Sequence, residues 1–301
     1  MRIELPERLQ PVPEPEGVCP ICHGSGWRKT SEEGAGAVRR CDCEKEKLGP
    51  RLLGLAGIPE RYQSCTLESF KVHNRDPGIA SLLLRARTVS QAYVDEFYDA
   101  KDDRFSSTGL IFVGPPGIGK THLAAAVLRE LIVRHRVRGR FVDFTSLLHQ
   151  IQATFDNTSG ESKSEILEGV KEAELLVLDE LGVQKPTEWV MQTLYDVINA
   201  RYSRRRPTIF TTNYLLELPA RAEPKDKDRS FAGSDASVKD FDDDVLTREQ
   251  KQLREIGRRR LLESRISAPL VSRICEMAQP VELTGLDYRR EVKAHQHRIG
   301  R

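Results

Sequence analysis

A chain of 301 residues has room for one large domain and one small one, each with its own core. Lys and Arg number 47 against 45 Asp and Glu, so the net charge of +2 and the pI near 8.2 point to no partner class by themselves. No apolar run approaches the roughly 20 residues that span a bilayer, and Met1 to Pro15 lacks the apolar core of a signal peptide, so a soluble cytoplasmic protein without membrane contact is expected.

Six cysteines in such a chain ask for a metal before a disulfide. Four of them cluster as Cys19-Pro-Ile-Cys22 and Cys41-Asp-Cys43. Two such pairs can close a tetrahedral cage of sulfurs around Zn²⁺, and a cage without an open position is structural, not catalytic. Reduced structural cysteines or a redox pair are the alternatives to a metal, and His23 could replace one sulfur. Cys65 and Cys275 stand alone and are expected in the core. The charged run Glu44 to Leu48 and the breaker pair Gly49-Pro50 suggest a boundary. Residues 1–47 then form a zinc-binding module, 48–108 a linker with a lead-in helix, and 109–301 the main domain.

Leu55 to Phe70 reads as a turn with a few apolar anchors. Ser81 to Tyr98 carries Leu82, Leu83, Ala86, Val89, Tyr93, Val94 and Phe97 at three- and four-residue steps, which predicts an amphipathic helix. The short apolar run Leu110 to Val113 leads into Gly114-Pro115-Pro116-Gly117-Ile118-Gly119-Lys120-Thr121, and His122 to Val133 suits a helix. A strand, a glycine-rich turn and a helix make a phosphate-binding loop: the glycines let successive N–H groups face one anion, and the helix start adds its positive dipole end. Lys120 can reach the β- and γ-phosphates of ATP, and the Thr121 hydroxyl can ligate Mg²⁺. The alternative is a chance glycine-rich turn.

Beyond this loop, strands are expected at Arg140 to Phe144, Leu175 to Leu178 and Thr208 to Thr212. Helices are expected at Ser146 to Phe155, Ile166 to Glu174 and Glu188 to Tyr202, the last capped by Thr187. Repeated βα units imply an α/β fold with a doubly wound, mostly parallel sheet whose ligands sit at the carboxyl ends of its strands. Asp179-Glu180 ends one apolar strand. If that strand neighbours the phosphate-loop strand, Asp179 can hold the metal and Glu180 can polarise the attacking water; otherwise the pair is an acidic helix cap. Asn213, ending the next strand, is placed to bond the same water or the γ-phosphate. Arg221 to Leu246 is charged and poor in apolar residues and reads as a mobile surface insertion. From Thr247 onward Lys and Arg outnumber Asp and Glu, a locally basic end suited to nucleic acid or to solvent.

Together the phosphate loop with its following His122-Leu123, Leu175 to Gly182, Thr211-Thr212-Asn213 and Leu283-Thr-Gly-Leu-Asp-Tyr-Arg289 resemble the AAA+ ATPases of the DnaC/DnaI helicase-loader and IstB transposition-helper group. The resemblance covers about residues 57 to 290 and implies an AAA+ P-loop fold. It implies that Gly114 to Thr121 with His122 bind the nucleotide, that Asp179 and Glu180 are the Walker B pair, and that Asn213 is the sensor-1 residue. Gly57 to Tyr62 resembles the segment that flanks the adenine in that group, which adds Arg61 and Tyr62 to the cofactor-binding set. Arg273, in Val-Ser-Arg-Ile, becomes the arginine finger toward a neighbouring subunit, with Arg265 as its rival, and Arg289 becomes the sensor-2 arginine. The cysteine pairs resemble the zinc module of some loaders.

A replicative helicase hexamer, single-stranded DNA and further copies of the chain are the partners that this resemblance implies. A transposition helper that recruits a transposase is the alternative, for which a helical N-terminus would be expected in place of cysteine pairs. A non-hydrolysing nucleotide-switched adaptor is the third reading, against which the Asp179-Glu180 pair argues.

Overall fold

The computed structural model describes residues 19, 21–22, 25, 27–29, 38–72, 76–99, 104–155, 162–216, 260–285 and 287–291. The expected insertion at 221–246 and residues 247–259 and 292–301 of the basic end lie outside the described residues. The chain divides into two compact units, Met1–Arg51 and Leu52–Arg301, and the division falls inside the helix α1 (Asp42–Leu55). Gly49-Pro50 therefore does not break the chain as expected. Pro50 lacks the N–H of a helical bond, yet α1 continues through it with the proline itself exposed.

In the first unit, β1 (Trp27–Lys29) pairs antiparallel with β2 (Val38–Arg40), with Trp27 opposite Arg40. In the second unit a single turn of 3₁₀ helix at Glu60–Tyr62 precedes α2 (Pro77–Glu96). That helix starts four residues before the predicted one because Asp76 caps it, accepting from the N–H groups of Gly78 and Ile79, and Pro77 suits the first helical position. Tyr98, expected at the helix end, instead begins β3 (Tyr98–Asp99), which pairs with β4 (Arg104–Phe105).

The central sheet holds β5 (Gly109–Val113), β6 (Gly139–Asp143), β7 (Leu175–Leu181), β8 (Thr208–Thr212) and β9 (Ala278–Glu282), in the order β6-β7-β8-β5-β9, every pair parallel. Periodicity did not show β9, whose Ala-Gln-Pro-Val-Glu has two buried apolar residues three apart, with no alternation, and a proline. Its pattern suits a sheet edge, where Gln279 and Pro280 stay exposed. Side chains alternate across a strand, so Leu110 and Phe112 enter one apolar cluster while Ile111 and Val113 enter the other. Both faces are therefore covered, which is why β5 and β8 are buried along their whole length.

One face carries α2 and α3 (Lys120–His135), whose Leu123 to Leu128, Leu131 and Ile132 are fully buried. The other carries α4 (Phe144–Phe155), α5 (Lys163–Lys171), α6 (Glu188–Ser203) and α7 (Ala268–Met277). Thr187 caps α6 through the N–H of Val190, as expected. Among the described residues no helix is long and apolar enough to cross a membrane.

Candidate ATP site and cysteine cluster

The phosphate loop runs from the end of β5 to the start of α3. Gly117 and Gly119 take φ of +79° and +100°, where any other L-residue is strained. Space is as restrictive as backbone angle: a Cβ on Gly119 would lie 2.6 Å from the Phe70 ring, and one on Gly117 would strike the Asp287 carboxylate. Lys120 at the helix start is 7% exposed, and its ammonium donates to the carbonyls of Gly114 (2.9 Å) and Pro115 (2.8 Å) and to Oδ1 of Asn213 (2.7 Å). Burial lowers its pKa to about 8 despite the nearby Asp179 and Glu180, so its charge is held by dipoles and is poorly hydrated.

Asp179 and Glu180 do not sit on a strand bordering β5, as the expectation for them required. The strand β8 lies between, with Phe210 beside both Ile111 of β5 and Leu178 of β7. The acids reach the loop nonetheless, because α3 leaves β5 and packs across β8 and β7, carrying Thr121 with it. The Thr121 hydroxyl donates to Oδ1 of Asp179 at 3.1 Å, and Thr211 of the intervening strand donates to the same oxygen at 2.6 Å. Burial pushes the Asp179 carboxyl up to about 6, with the two hydroxyl donors opposing the shift and Glu180 and Asp143 adding to it. A buried carboxylate beside a threonine hydroxyl is the hard-oxygen pair that a magnesium ion takes.

Glu180 is exposed and takes φ 60° within a strand, at a register shift between Leu178 and Leu181; such a conformation costs roughly 1 kcal/mol for a non-glycine residue. Its N–H donates to the Thr211 hydroxyl at 3.0 Å.

A cavity of ≈ 340 Å³ joins these groups. Pro116 to His122, Glu180, Thr211 to Asn213, Arg61, Tyr62 and Arg289 line it, so most of the expected nucleotide residues meet in one place. Gly114 and Pro115 contribute through their carbonyls on Lys120. The cations Arg61, Lys71, Lys120 and Arg289 suit a polyphosphate, and Tyr62, Leu83, Phe70 and Ile118 give an apolar wall suited to a base.

Sequence reasoning missed the strap from Cys65 to Lys71. His122 bonds the Thr66 carbonyl at 2.9 Å and lies 3.3 Å from the Ser69 hydroxyl, while Phe70 meets its ring edge-on. Burial holds the imidazole below the usual histidine range. The apolar Leu67 and Phe70 were the available signal for the strap. Cys65 is buried as expected, but Cys275 is exposed on α7, whose apolar face is filled by Leu270, Val271, Ile274 and Met277.

Arg273 lies apart from this cavity. Its guanidinium carbon sits 5.1 Å from the ring centroid of Tyr195 and 5.9 Å from that of Tyr202. Arg265 is bonded to the carbonyls of Gly182, Val183 and Gln184.

In the first unit the sulfurs of Cys19, Cys22 and Cys41 lie within 4.8 Å of one another, and those of Cys19 and Cys41 are 3.7 Å apart. Sulfurs on a tetrahedral zinc with bonds of about 2.3 Å are about 3.8 Å apart, so the spacing fits that ion. The hairpin of β1 and β2 returns Cys41 to the first pair, and Ser25 closes the turn by donating its N–H and hydroxyl to the Cys22 carbonyl. Cys43 falls in the first turn of α1, and its side chain lies outside the described residues.

Comparison with known proteins agrees with this geometry. Residues 93–221 match the family model described as IstB-like ATP binding protein. The replicative helicase loader DnaC of Escherichia coli (strain K12) is 32% identical over 194 residues, covering 64% of this chain and 72% of that protein. The DnaC of Buchnera aphidicola subsp. Schizaphis graminum is 29% identical over 163 residues, 54% of this chain and 61% of that protein. A crystal structure of the DnaC helicase loader, 25% identical, overlaps 75% of this chain and 99% of its own with a TM-score of 0.51. On this identity and coverage, the chain belongs to the DnaC family of IstB-like ATP-binding proteins and has the AAA+ P-loop fold.

Proposed function

We propose that this chain is an ATPase that helps DNA replication by loading a hexameric replicative helicase onto single-stranded DNA. The observation that carries the ATPase reading is the Thr121–Asp179 contact of 3.1 Å, with Thr121 lining the same cavity as Lys120, Glu180 and Asn213. The loader reading draws on the DnaC relatives, which are named replicative helicase loaders.

Residues 114–121 wrap the β- and γ-phosphates of ATP with main-chain N–H groups. Lys120 exchanges its carbonyl acceptors for phosphate oxygens, and Arg289 adds a second cation. Thr121 and Asp179 would hold magnesium, which when bound neutralises charge on the β- and γ-oxygens. Glu180, exposed at the cavity, accepts a hydrogen bond from the attacking water and aligns it on the γ-phosphorus. Asn213, its Oδ1 occupied by Lys120, offers its N–H groups to the same water or to the γ-phosphate. Arg61 and Tyr62 flank the base.

Subunits assemble side by side, and Arg273 of one faces the nucleotide of the next, where such an arginine is worth roughly 10³ to 10⁵ in rate. The stack on Tyr195 and Tyr202 keeps the guanidinium poorly hydrated before that contact. Cys19, Cys22, Cys41 and Cys43 would hold a structural zinc that shapes the surface for the partner protein. Basic side chains hold single-stranded DNA in the ATP-bound assembly, and hydrolysis loosens it.

The match to the IstB-like model supports a second reading, a helper ATPase that recruits a transposase. A pull-down with the tagged protein in ATP separates the two. Recovery of a ring helicase is expected, recovery of a transposase favours the second reading, and ATP hydrolysis measured with and without single-stranded DNA tests the activity common to both.

A further inference from the structure

Three carbonyls of the turn behind Glu180 are held by one distant side chain. Among the described residues, Arg136 and Arg205 also have positive φ, but they follow the ends of α3 and α6, whereas Glu180 has it within a strand. Gly182, two residues on, has φ +88°. Four successive carbonyls after Glu180 are then occupied. Leu181 accepts from the Thr212 hydroxyl at 2.9 Å. Gly182 accepts from Nε of Arg265 at 2.8 Å, and Val183 and Gln184 accept from its Nη2 at 3.1 and 3.0 Å. The same guanidinium carbon lies 5.3 Å from the ring centroid of Tyr214, the residue after Asn213.

We infer that Arg265 is a positioning residue for ATP hydrolysis, acting within its own subunit by fixing the turn that presents Glu180 and bracing it against the residue that follows Asn213. The inference rests on the reading of Glu180 as the group that aligns the water. A left-handed residue inside a strand persists only where its surroundings over-determine it, and the Arg265 fork supplies three of the bonds that do so. The planar fork suits this task, because its donors point in fixed directions, whereas an ammonium sits on a flexible stem and orients nothing. Arg265 is correspondingly not a finger: Nε and Nη2 are committed to their own chain, and swinging out would leave three carbonyls without donors.

Hydrolysis rate and equilibrium binding of a fluorescent ATP analogue, measured on the full chain, test this. Arg265→Ala is expected to lower kcat about 10- to 100-fold, the order seen when a catalytic group is misplaced by ~1 Å, with Kd changed less than about twofold. Arg265→Lys should shift kcat the same way by less. Mixing then separates the two roles of an arginine. If Arg265 were a finger, Glu180→Gln subunits, which keep Arg265, would restore hydrolysis to Arg265→Ala neighbours; a positioning residue gives no restoration. Restoration in the mixture, or an unchanged kcat in Arg265→Ala, overturns the assignment. Should Arg265→Ala not fold, Gly182→Ala strains the same turn, and an unchanged kcat there overturns it equally. Failure of the parent reading looks different: Glu180→Gln alone would then hydrolyse ATP at the wild-type rate.

Discussion

Burial disfavours the charged forms of both Lys120 and Asp179. A triphosphate and its cation favour those charged forms, so contacts of the ammonium with phosphate oxygens are strong in this poorly hydrated place. Lys120→Ala should therefore raise the Kd for ATP about 100-fold or more, the loss of charge-assisted hydrogen bonds worth roughly 3 kcal/mol, and hydrolysis should disappear with it. A titration with unchanged affinity would remove the site as described. Glu180→Gln should leave Kd alone and slow phosphate release about 100-fold or more, because an amide keeps the shape but is no base. Loss of ATP binding in that variant would show that Glu180 holds the nucleotide and not the water. These residues could be picked out because a phosphate loop is a local object: its spacing in the chain is its spacing in space. Thr211 could not, since its two bonds, to the Asp179 carboxylate and the Glu180 N–H, run to another strand.

Among elements, the order of strands is what places the acids. An apolar run such as Leu175 to Leu178 announces a buried parallel strand but carries no mark of its neighbour, and the condition of adjacency to β5 is not met in the sheet. A buried side chain on α6 ties the entrance of β8 to the end of α5. Arg201, 1% exposed, donates to the carbonyls of Val170, Lys171 and Ala173 at the end of α5, and to the Pro207 carbonyl and Thr208 hydroxyl at the start of β8. It ties two helices and a strand entrance with no carboxylate in the set. Arg201→Met would keep most of the volume and strand those buried acceptors, at a cost of about 3 kcal/mol or more. A urea midpoint that moves by less than the equivalent of about 1 kcal/mol would mean that water reaches the carbonyls. Arginine on a helix reads as surface in any periodicity argument, and only the packing of α5 against α6 reveals it as core.

For the whole molecule, the two units answer to different forces. The larger is held by apolar burial on both faces of a parallel sheet. Among the described residues the smaller has a pair of three-residue strands, β1 with β2, and a cluster of thiols, where a bound metal can supply what apolar burial supplies in the larger. Purified protein should accordingly carry about one zinc per chain, and a strong chelator should unfold the first unit while ATP binding by the second persists. Elemental analysis without zinc would end the four-cysteine reading. The assembly prediction belongs to this scale too: Arg273→Ala should bind ATP normally, lose hydrolysis, and regain it when mixed with Glu180→Gln subunits that supply an intact arginine. Mixtures as inactive as the separate variants would place the finger elsewhere.

Glycines at 117 and 119, a lysine and a threonine at the next two positions, and an apolar run ending in two acids are statements about neighbours in the chain, so the sequence alone determined the family and the fold class. Which strand lies between β5 and β7, which arginine is spent on its own subunit, and what covers the phosphate loop depend on groups tens of residues apart. Those were decided only when both faces of the sheet had to be buried at once, because burial constrains the sum of all contacts and leaves no trace in any one stretch.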